Sequence, residues 1–158
     1  MEKLTYAMHI LDNLKFNYLT FKCSLNMNTI KAIMHNSAIL NLLKKTGNCD
    51  EIIIDAFTTS KKYFEYLKTE KNIVTNVKLI EKAENQYFSV AAASIIARYQ
   101  LIREFDKLSL SEGIKLPKGA GSKVDTIIER IYKTKGEKYL YNIGKCNFKN
   151  LEKVKAKI

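Results

Sequence analysis

Residues 51–64 read EIIIDAFTTSKKYF and contain the strand-to-helix transition that decides the fold class. Ile52–Ile54 is a continuous run of β-branched residues with an acid on either side, which is typical of a strand buried on both faces of a sheet. Thr58 or Thr59 follows within a few residues, and either hydroxyl is suited to cap the helix that comes next. A buried strand that leads directly into a helix indicates an α/β fold.

Two further segments carry the pattern of a strand. In Phe16–Lys22 large apolar residues alternate with smaller or polar ones, and Val74–Ile80 is the third strand candidate. A helix is expected after Asn26 or Asn28, with Gly47 as its end. The remaining expected elements are helices at Thr5–Asn13, Asn85–Leu110, Val124–Lys133, Lys138–Ile143 and from Asn150 onward, and a loop at Gly113–Gly121.

Positive charge is concentrated near the end of the chain. Of 158 residues, 27 are Lys or Arg and 16 are Asp or Glu, which gives a formal net charge of +11. Residues 115–158 hold 12 of the basic and 4 of the acidic side chains, so most of the excess lies in the last quarter. Such a concentration attracts polyanions, of which nucleic acid is the common one, although a solvated lysine-rich surface is the alternative interpretation.

Composition also excludes several classes of protein. A hydrophobic content of 46% and a single proline indicate a folded chain rather than a disordered one. The longest apolar stretches, such as Val90–Ala97, are too short to span a bilayer, so no membrane association is expected. The three cysteines Cys23, Cys49 and Cys146 form neither a zinc pattern nor a disulfide framework, and reduced thiols suit a cytoplasmic protein.

Two carboxylates stand where α/β proteins place functional groups. Asp55 comes at the end of the predicted buried strand, and Glu84 follows the third strand candidate at the start of the long helix. Each has a structural interpretation as well: Asp55 could cap a turn, and Glu84 is favoured at a helix N-terminus by the helix dipole. Together, two acids at the ends of adjacent strands could converge on a divalent metal ion.

Two other features offer weaker signals. The segment from Lys118 to Lys123, KGAGSK, combines flexible backbone, two ammonium groups and a following helix N-terminus, which could cradle a phosphate or be a solvated loop. His35 lies in the middle of a largely apolar helix, and with no partner visible in the sequence a packing or surface role is its default interpretation.

Five segments of the chain form an ordered set: NTIKAIMHN at 28–36, IIID at 52–55, KAENQY at 82–87, VAAASIIAR at 90–98 and PKGAGSKVD at 117–125. Together they resemble the bacterial type 2 ribonucleases H, and specifically ribonuclease HIII. The combination is highly specific, and the resemblance covers essentially the whole chain. It implies an RNase H-like fold, a three-layer α/β domain, and Mg²⁺- or Mn²⁺-dependent endonucleolytic cleavage of the RNA strand in RNA/DNA hybrids.

The resemblance also assigns roles to individual residues. The family uses four acidic residues, of which Asp55 looks like the third and Glu84 like the fourth, so both are expected to be catalytic metal ligands. Contacts with nucleic acid are expected from residues in the two glycine- and alanine-rich signature segments, namely Ser94, Lys118, Gly119 and Lys123.

The departures from the family pattern concern the beginning of the domain. The first Asp and Glu of the family are adjacent on the first core strand, and no such motif exists here. Lys3-Leu4-Thr5 resembles the end of the segment that follows those strands. Residues 1–158 are therefore expected to form an incomplete RNase H-like catalytic domain that lacks the first two core strands and the N-terminal TBP-like substrate-binding domain. Cys146 stands where relatives often carry a histidine.

These observations predict a ribonuclease HIII fragment whose cleavage of RNA/DNA hybrids is impaired. The alternative is a non-catalytic nucleic-acid-binding remnant of the same fold. Because the absent strands belong to the centre of the sheet, such a fragment is expected either to be unstable or to need a second polypeptide that supplies them.

Overall fold

The computed structural model describes residues 4–158, so Lys3 lies outside the described residues. The chain divides into two compact units: the first contains residues 4–10 and Leu25–Arg98, and the second contains Leu11–Ser24 and Tyr99–Ile158. In chain order the elements are α1 Asn13–Phe21, α2 Met27–Thr46, β1 Ile52–Asp55, α3 Ser60–Tyr66, β2 Val77–Ile80, a 3₁₀ turn Ala83–Asn85, α4 Phe88–Glu112, α5 Ser122–Lys135, α6 Glu137–Ile143 and α7 Lys149–Lys155.

The first unit is built on a small parallel sheet. β1 pairs with β2 in a register that runs from Ile52 opposite Val77 to Asp55 opposite Ile80. A parallel pair needs a crossover connection, and α3 lies within it. Apolar residues from the sheet, from α2 and α3 and from the segment between α3 and β2 form its core: Ala32, Ile52, Ile54, Tyr63, Leu67, Val74 and Val77. The α/β prediction from residues 51–64 is confirmed.

Helix ends in the first unit follow from capping chemistry. The Asn26 side chain accepts a hydrogen bond from the Thr29 amide at 2.9 Å and begins α2. Gly47, at a φ of 78°, ends α2 in a backbone conformation that a side chain disfavours. Thr59 is the N-cap of α3, where its hydroxyl accepts from the Lys62 amide. All three residues were among the predicted helix ends.

The strand predicted at Phe16–Lys22 is wrong, since residues 16–21 lie within helix α1 and Lys22 is its C-cap. Asp12 caps the helix by accepting from the Lys15 amide at 2.7 Å, and Phe16 and Asn17 face inward. A strand needs a neighbouring strand for its backbone groups, whereas a helix pairs them internally. In the described part of the chain the only strands, β1 and β2, pair with each other. Residues 16–21 therefore satisfy their backbone hydrogen bonds within a helix.

Two other element predictions need correction. The helix predicted at Thr5–Asn13 is wrong, because residues 4–12 have no regular structure and Asp12, as the N-cap of α1, has an extended backbone. The third strand begins only at Val77, because the amide of Val74 donates to the side chain of Asn36 at 3.0 Å instead of joining the ladder.

The second unit consists of helices. α5, α6 and α7 surround a core of Ile131, Leu140 and Leu151, which confirms the helices predicted for this basic part of the chain. Asn17 of α1 joins them, because its amide donates to the carbonyls of Tyr141 and Gly144 at 2.9 and 2.8 Å.

No helix in residues 4–158 combines the length and the apolar character that a membrane span requires.

Candidate active site

Asp55 ends β1 at the carboxyl edge of the sheet, and its side chain is exposed. One of its oxygens, Oδ1, accepts a hydrogen bond from the buried Ala83 amide at 3.0 Å. Ala83 opens the 3₁₀ turn that follows β2, so this bond ties the end of one strand to the turn after its neighbour. Asp55 thereby has a structural partner and still presents the rest of its carboxylate to solvent.

Glu84 lies in that same 3₁₀ turn and is exposed. Lys82, which precedes the turn, has a positive φ of 53°, in the left-handed region. The structure therefore brings the two predicted carboxylates to the same edge of the sheet through the Asp55–Ala83 bond. An open cleft lies at this edge and is lined by residues 56–60, Leu79 and Glu81.

The carboxylate set is small. Among residues 4–158, no group of three or more His, Cys, Asp or Glu side chains is placed to hold a metal ion together. Carboxylate oxygens are the ligands that Mg²⁺ and Mn²⁺ prefer, so the chemistry of Asp55 and Glu84 fits such an ion. Two carboxylates supply only part of the coordination shell of such an ion.

Ser94 lies on α4 in the first unit and is exposed. Its hydroxyl donates to the Ala91 carbonyl at 2.8 Å, within the same helix. The structure thus gives Ser94 a local hydrogen bond and an open surface.

The loop that contains Lys118 and Gly119 belongs to the second unit, as does Lys123 in the first turn of α5. Gly119 has a φ of 97°, which requires glycine, and both lysines are exposed. No side chain caps the N-terminus of α5, which leaves its first amide groups open to an anion.

Asn150 of α7 orders this loop, and sequence reasoning missed it. Its buried side-chain amide donates to the Ala120 carbonyl at 2.9 Å and to the carboxylate of Asp125. One amide group therefore holds both the loop and the first turn of α5. The 25 to 30 residues that separate these partners leave no local signal in the sequence.

The surroundings of Asp55 also include a contact between His35 and Phe57 that the sequence did not indicate. The ring of His35 stacks on Phe57 with centroids 5.5 Å apart and an interplanar angle of 16°. Desolvation and the nearby Lys31 ammonium lower the pKa of His35, while the Asp55 carboxylate acts in the opposite direction. The sequence feature that could have indicated this contact was the pair Lys31 and His35, four residues apart on α2, together with Phe57 two positions after Asp55.

Comparison with known proteins gives a consistent set of relatives. The family described as Ribonuclease HII matches residues 3–151. Ribonuclease HIII of Phytoplasma mali (strain AT) is 46% identical over 153 residues, which cover 97% of this chain and 53% of that protein. Ribonuclease HIII of Bacillus mycoides (strain KBAB4) is 40% identical over 151 residues, covering 94% and 48%.

A solved structure is also similar. The crystal structure of Bst-RNase HIII in complex with Mn²⁺ has a TM-score of 0.89 and 38% identity, and the match covers 94% of this chain and 49% of that one. This similarity confirms the RNase H-like α/β fold predicted from the sequence. The chain spans about half the length of the curated relatives it matches.

Proposed function

The chain belongs to the ribonuclease HII family, and from this premise we propose that it carries half of the active site of a ribonuclease HIII. The enzyme would cut the RNA strand of RNA/DNA hybrids with Mg²⁺ or Mn²⁺, and Asp55 and Glu84 would be two of its four acidic metal ligands. The observation that carries this proposal is the hydrogen bond between Asp55 and the Ala83 amide, because it joins the elements that bear the two carboxylates.

A divalent ion held by these carboxylates would activate water and offset negative charge on the scissile phosphate. The chain itself would orient the Asp55 carboxylate. The Ala83 amide holds one oxygen of Asp55 by its bond at 3.0 Å, so the carboxylate does not have to be ordered when the ion binds. The similar Bst-RNase HIII was crystallised in complex with Mn²⁺, which supports a divalent ion without choosing between the two metals.

Nucleic acid would be held mainly by the second unit. Its exposed Lys118 and Lys123 flank a loop and an uncapped helix N-terminus, an arrangement suited to a backbone phosphate. Gly119 would let the backbone approach that phosphate closely, and Ser94 would contact the hybrid from α4. The net charge of +11 supports the same class of partner. Free cysteines suit a reducing cytoplasm as the place of action.

We further propose that the other two acids come from strands supplied by additional polypeptide, either in the same longer protein or in a second one. α4 supports this, because none of its 25 residues is buried. Phe88 is 85% exposed and Ile95 is 68% exposed on this helix, so a large apolar surface lacks a covering element among the described residues. The described residues would then be part of a catalytic domain that the additional polypeptide completes.

The test is hybrid binding and cleavage by the purified chain alone. We expect salt-sensitive binding of an RNA/DNA hybrid and, with Mn²⁺ present, little or no cleavage of its RNA strand, because half of the acidic ligands are missing. Fluorescence anisotropy measures the binding and gel electrophoresis measures the cleavage. Robust Mn²⁺-dependent cleavage that Asp55→Ala abolishes would show that the site is already complete, and salt-insensitive binding would contradict the role of the basic surface.

A second candidate function is a nucleic-acid-binding remnant without catalysis. The observation that favours it is that the described residues contain no cluster of three metal-binding side chains. The two functions differ once the additional strands are supplied: a remnant still binds the hybrid but does not cut it.

A further inference from the structure

Two side chains near Asp55, those of Lys31 and His35, pack on one aromatic ring, that of Phe57. Lys31 and His35 lie four residues apart on α2, which places them on the same face of the helix. The Lys31 ammonium lies 5.4 Å from the centroid of Phe57, and the His35 ring stacks on Phe57 at 5.5 Å. Both contacts are within the usual range for cation–π and aromatic pairs. Phe57 follows Asp55 by two residues, so this group lies at the same edge of the sheet.

The ring of Phe57 is held by packing, whereas the side chains of Lys31 and His35 are exposed. Phe57 is half-buried and packs edge-on against the fully buried Tyr63, with centroids 6.3 Å apart. Lys31 and His35 keep exposed surface. Within residues 4–158, no group forms a hydrogen bond with either ring nitrogen of His35. The nitrogens of this exposed ring are therefore open to a further hydrogen bond.

The charge state of His35 follows from its surroundings. Packing around the ring and the Lys31 ammonium lower its pKa more than the Asp55 carboxylate raises it. The imidazole is therefore neutral near pH 7 and offers one N–H donor and one acceptor. Lys31 carries the positive charge of the pair.

We propose that Lys31 and His35 form a binding site for the sugar–phosphate backbone of the nucleic acid beside Asp55. Lys31 pairs with a phosphate, and the N–H of His35 donates to a sugar or phosphate oxygen of the same strand. Phe57 fixes the position of both side chains. This site deepens the proposed function and rests on it, because the nucleic acid is the hybrid that Asp55 would act on.

The charge on Lys31 gives the first test, with hybrid affinity measured by anisotropy between about 50 and 200 mM salt. Lys31→Ala should make the dependence of log K on log salt less steep by about 0.9, the value for one phosphate contact. Lys44→Ala is the matched control, because Lys44 is exposed on the same helix and lies about 20 Å further along it. Equal loss of slope in both variants would overturn the proposal in favour of a diffuse electrostatic effect.

The second test separates hydrogen bonding by His35 from its packing. His35→Phe keeps an aromatic ring to stack on Phe57 and removes both ring nitrogens. It should weaken hybrid binding at least about threefold, through the loss of one hydrogen bond, without changing the salt slope. Its urea midpoint should match that of the unmodified chain. Unchanged affinity in His35→Phe would overturn the role of His35.

The proposed function and the backbone site fail in different ways. If the unmodified chain does not bind the hybrid even at about 50 mM salt, the proposed function is wrong and this site is wrong with it. If the unmodified chain binds and both Lys31→Ala and His35→Phe bind equally well, only the backbone site is wrong.

Discussion

Asp55→Asn should reduce RNA cleavage by at least about 100-fold in an enzyme whose remaining acids have been supplied. A metal ion stabilises the charge of the transition state by several kcal/mol, and each factor of ten in rate corresponds to about 1.4 kcal/mol. Asparagine retains an oxygen that accepts from the Ala83 amide, so the hydrogen bond between β1 and the 3₁₀ turn is preserved. The variant therefore removes the negative charge and leaves the fold in place.

The experiment uses this chain mixed with the part of the Phytoplasma mali ribonuclease HIII that it does not cover. Initial rates of hybrid cleavage are measured with Mn²⁺ for the unmodified chain and for Asp55→Asn. Asp50→Asn is the matched control, since Asp50 is exposed and precedes β1 rather than ending it. A loss of less than about threefold in Asp55→Asn would contradict its role as a metal ligand.

Asn36→Ala should destabilise the first unit by about 2–4 kcal/mol. The Asn36 side chain is 1% exposed, donates to the Asn72 carbonyl at 2.8 Å and accepts from the Val74 amide at 3.0 Å. Alanine leaves both backbone groups without these partners, and an unsatisfied buried polar group costs about 1–3 kcal/mol. This side chain connects α2 to the segment that leads into β2, so the sheet edge that carries Asp55 depends on it.

Urea unfolding followed by circular dichroism measures the loss, and hydrogen exchange at the Val74 amide localises it. Asn41→Ala is the control, because its side-chain contact with His9 is exposed and should contribute within about 0.5 kcal/mol. A loss of stability below about 1 kcal/mol for Asn36→Ala, with the Val74 amide still protected, would contradict this role. It would show that other groups form hydrogen bonds with the Asn72 carbonyl and the Val74 amide.

Local patterns predicted those elements whose partners are near in sequence or whose stabilisation is internal. The run Ile52–Ile54 predicted β1 because β-branched residues favour strands; Ile52 and Ile54 are buried in the structure and Ile53 is half-buried. Asn26 and Gly47 predicted the ends of α2 because capping is a property of the residue and its immediate neighbours. The alternation in Phe16–Lys22 misled, because a strand pattern forms a strand only where another strand is available to it.

The candidate site was predictable to the same extent. Asp55 and Glu84 were predicted because the ends of parallel strands are the places where α/β proteins position functional groups. The contact of His35 with Phe57 joins residues 22 positions apart, and the hydrogen bonds of Asn150 reach back to Ala120 and Asp125. Such contacts depend on how helices pack, which no local pattern in one sequence records.

The central claim is that this chain carries half of a metal-dependent active site, and mixing tests it most directly. Cleavage of a labelled RNA/DNA hybrid is measured with Mn²⁺ for the chain alone, for the complementary part of the Phytoplasma mali enzyme alone, and for the two together. We expect rapid cleavage only in the mixture. Rapid cleavage by this chain alone, or a mixture that assembles and binds the hybrid without cutting it, would contradict the claim.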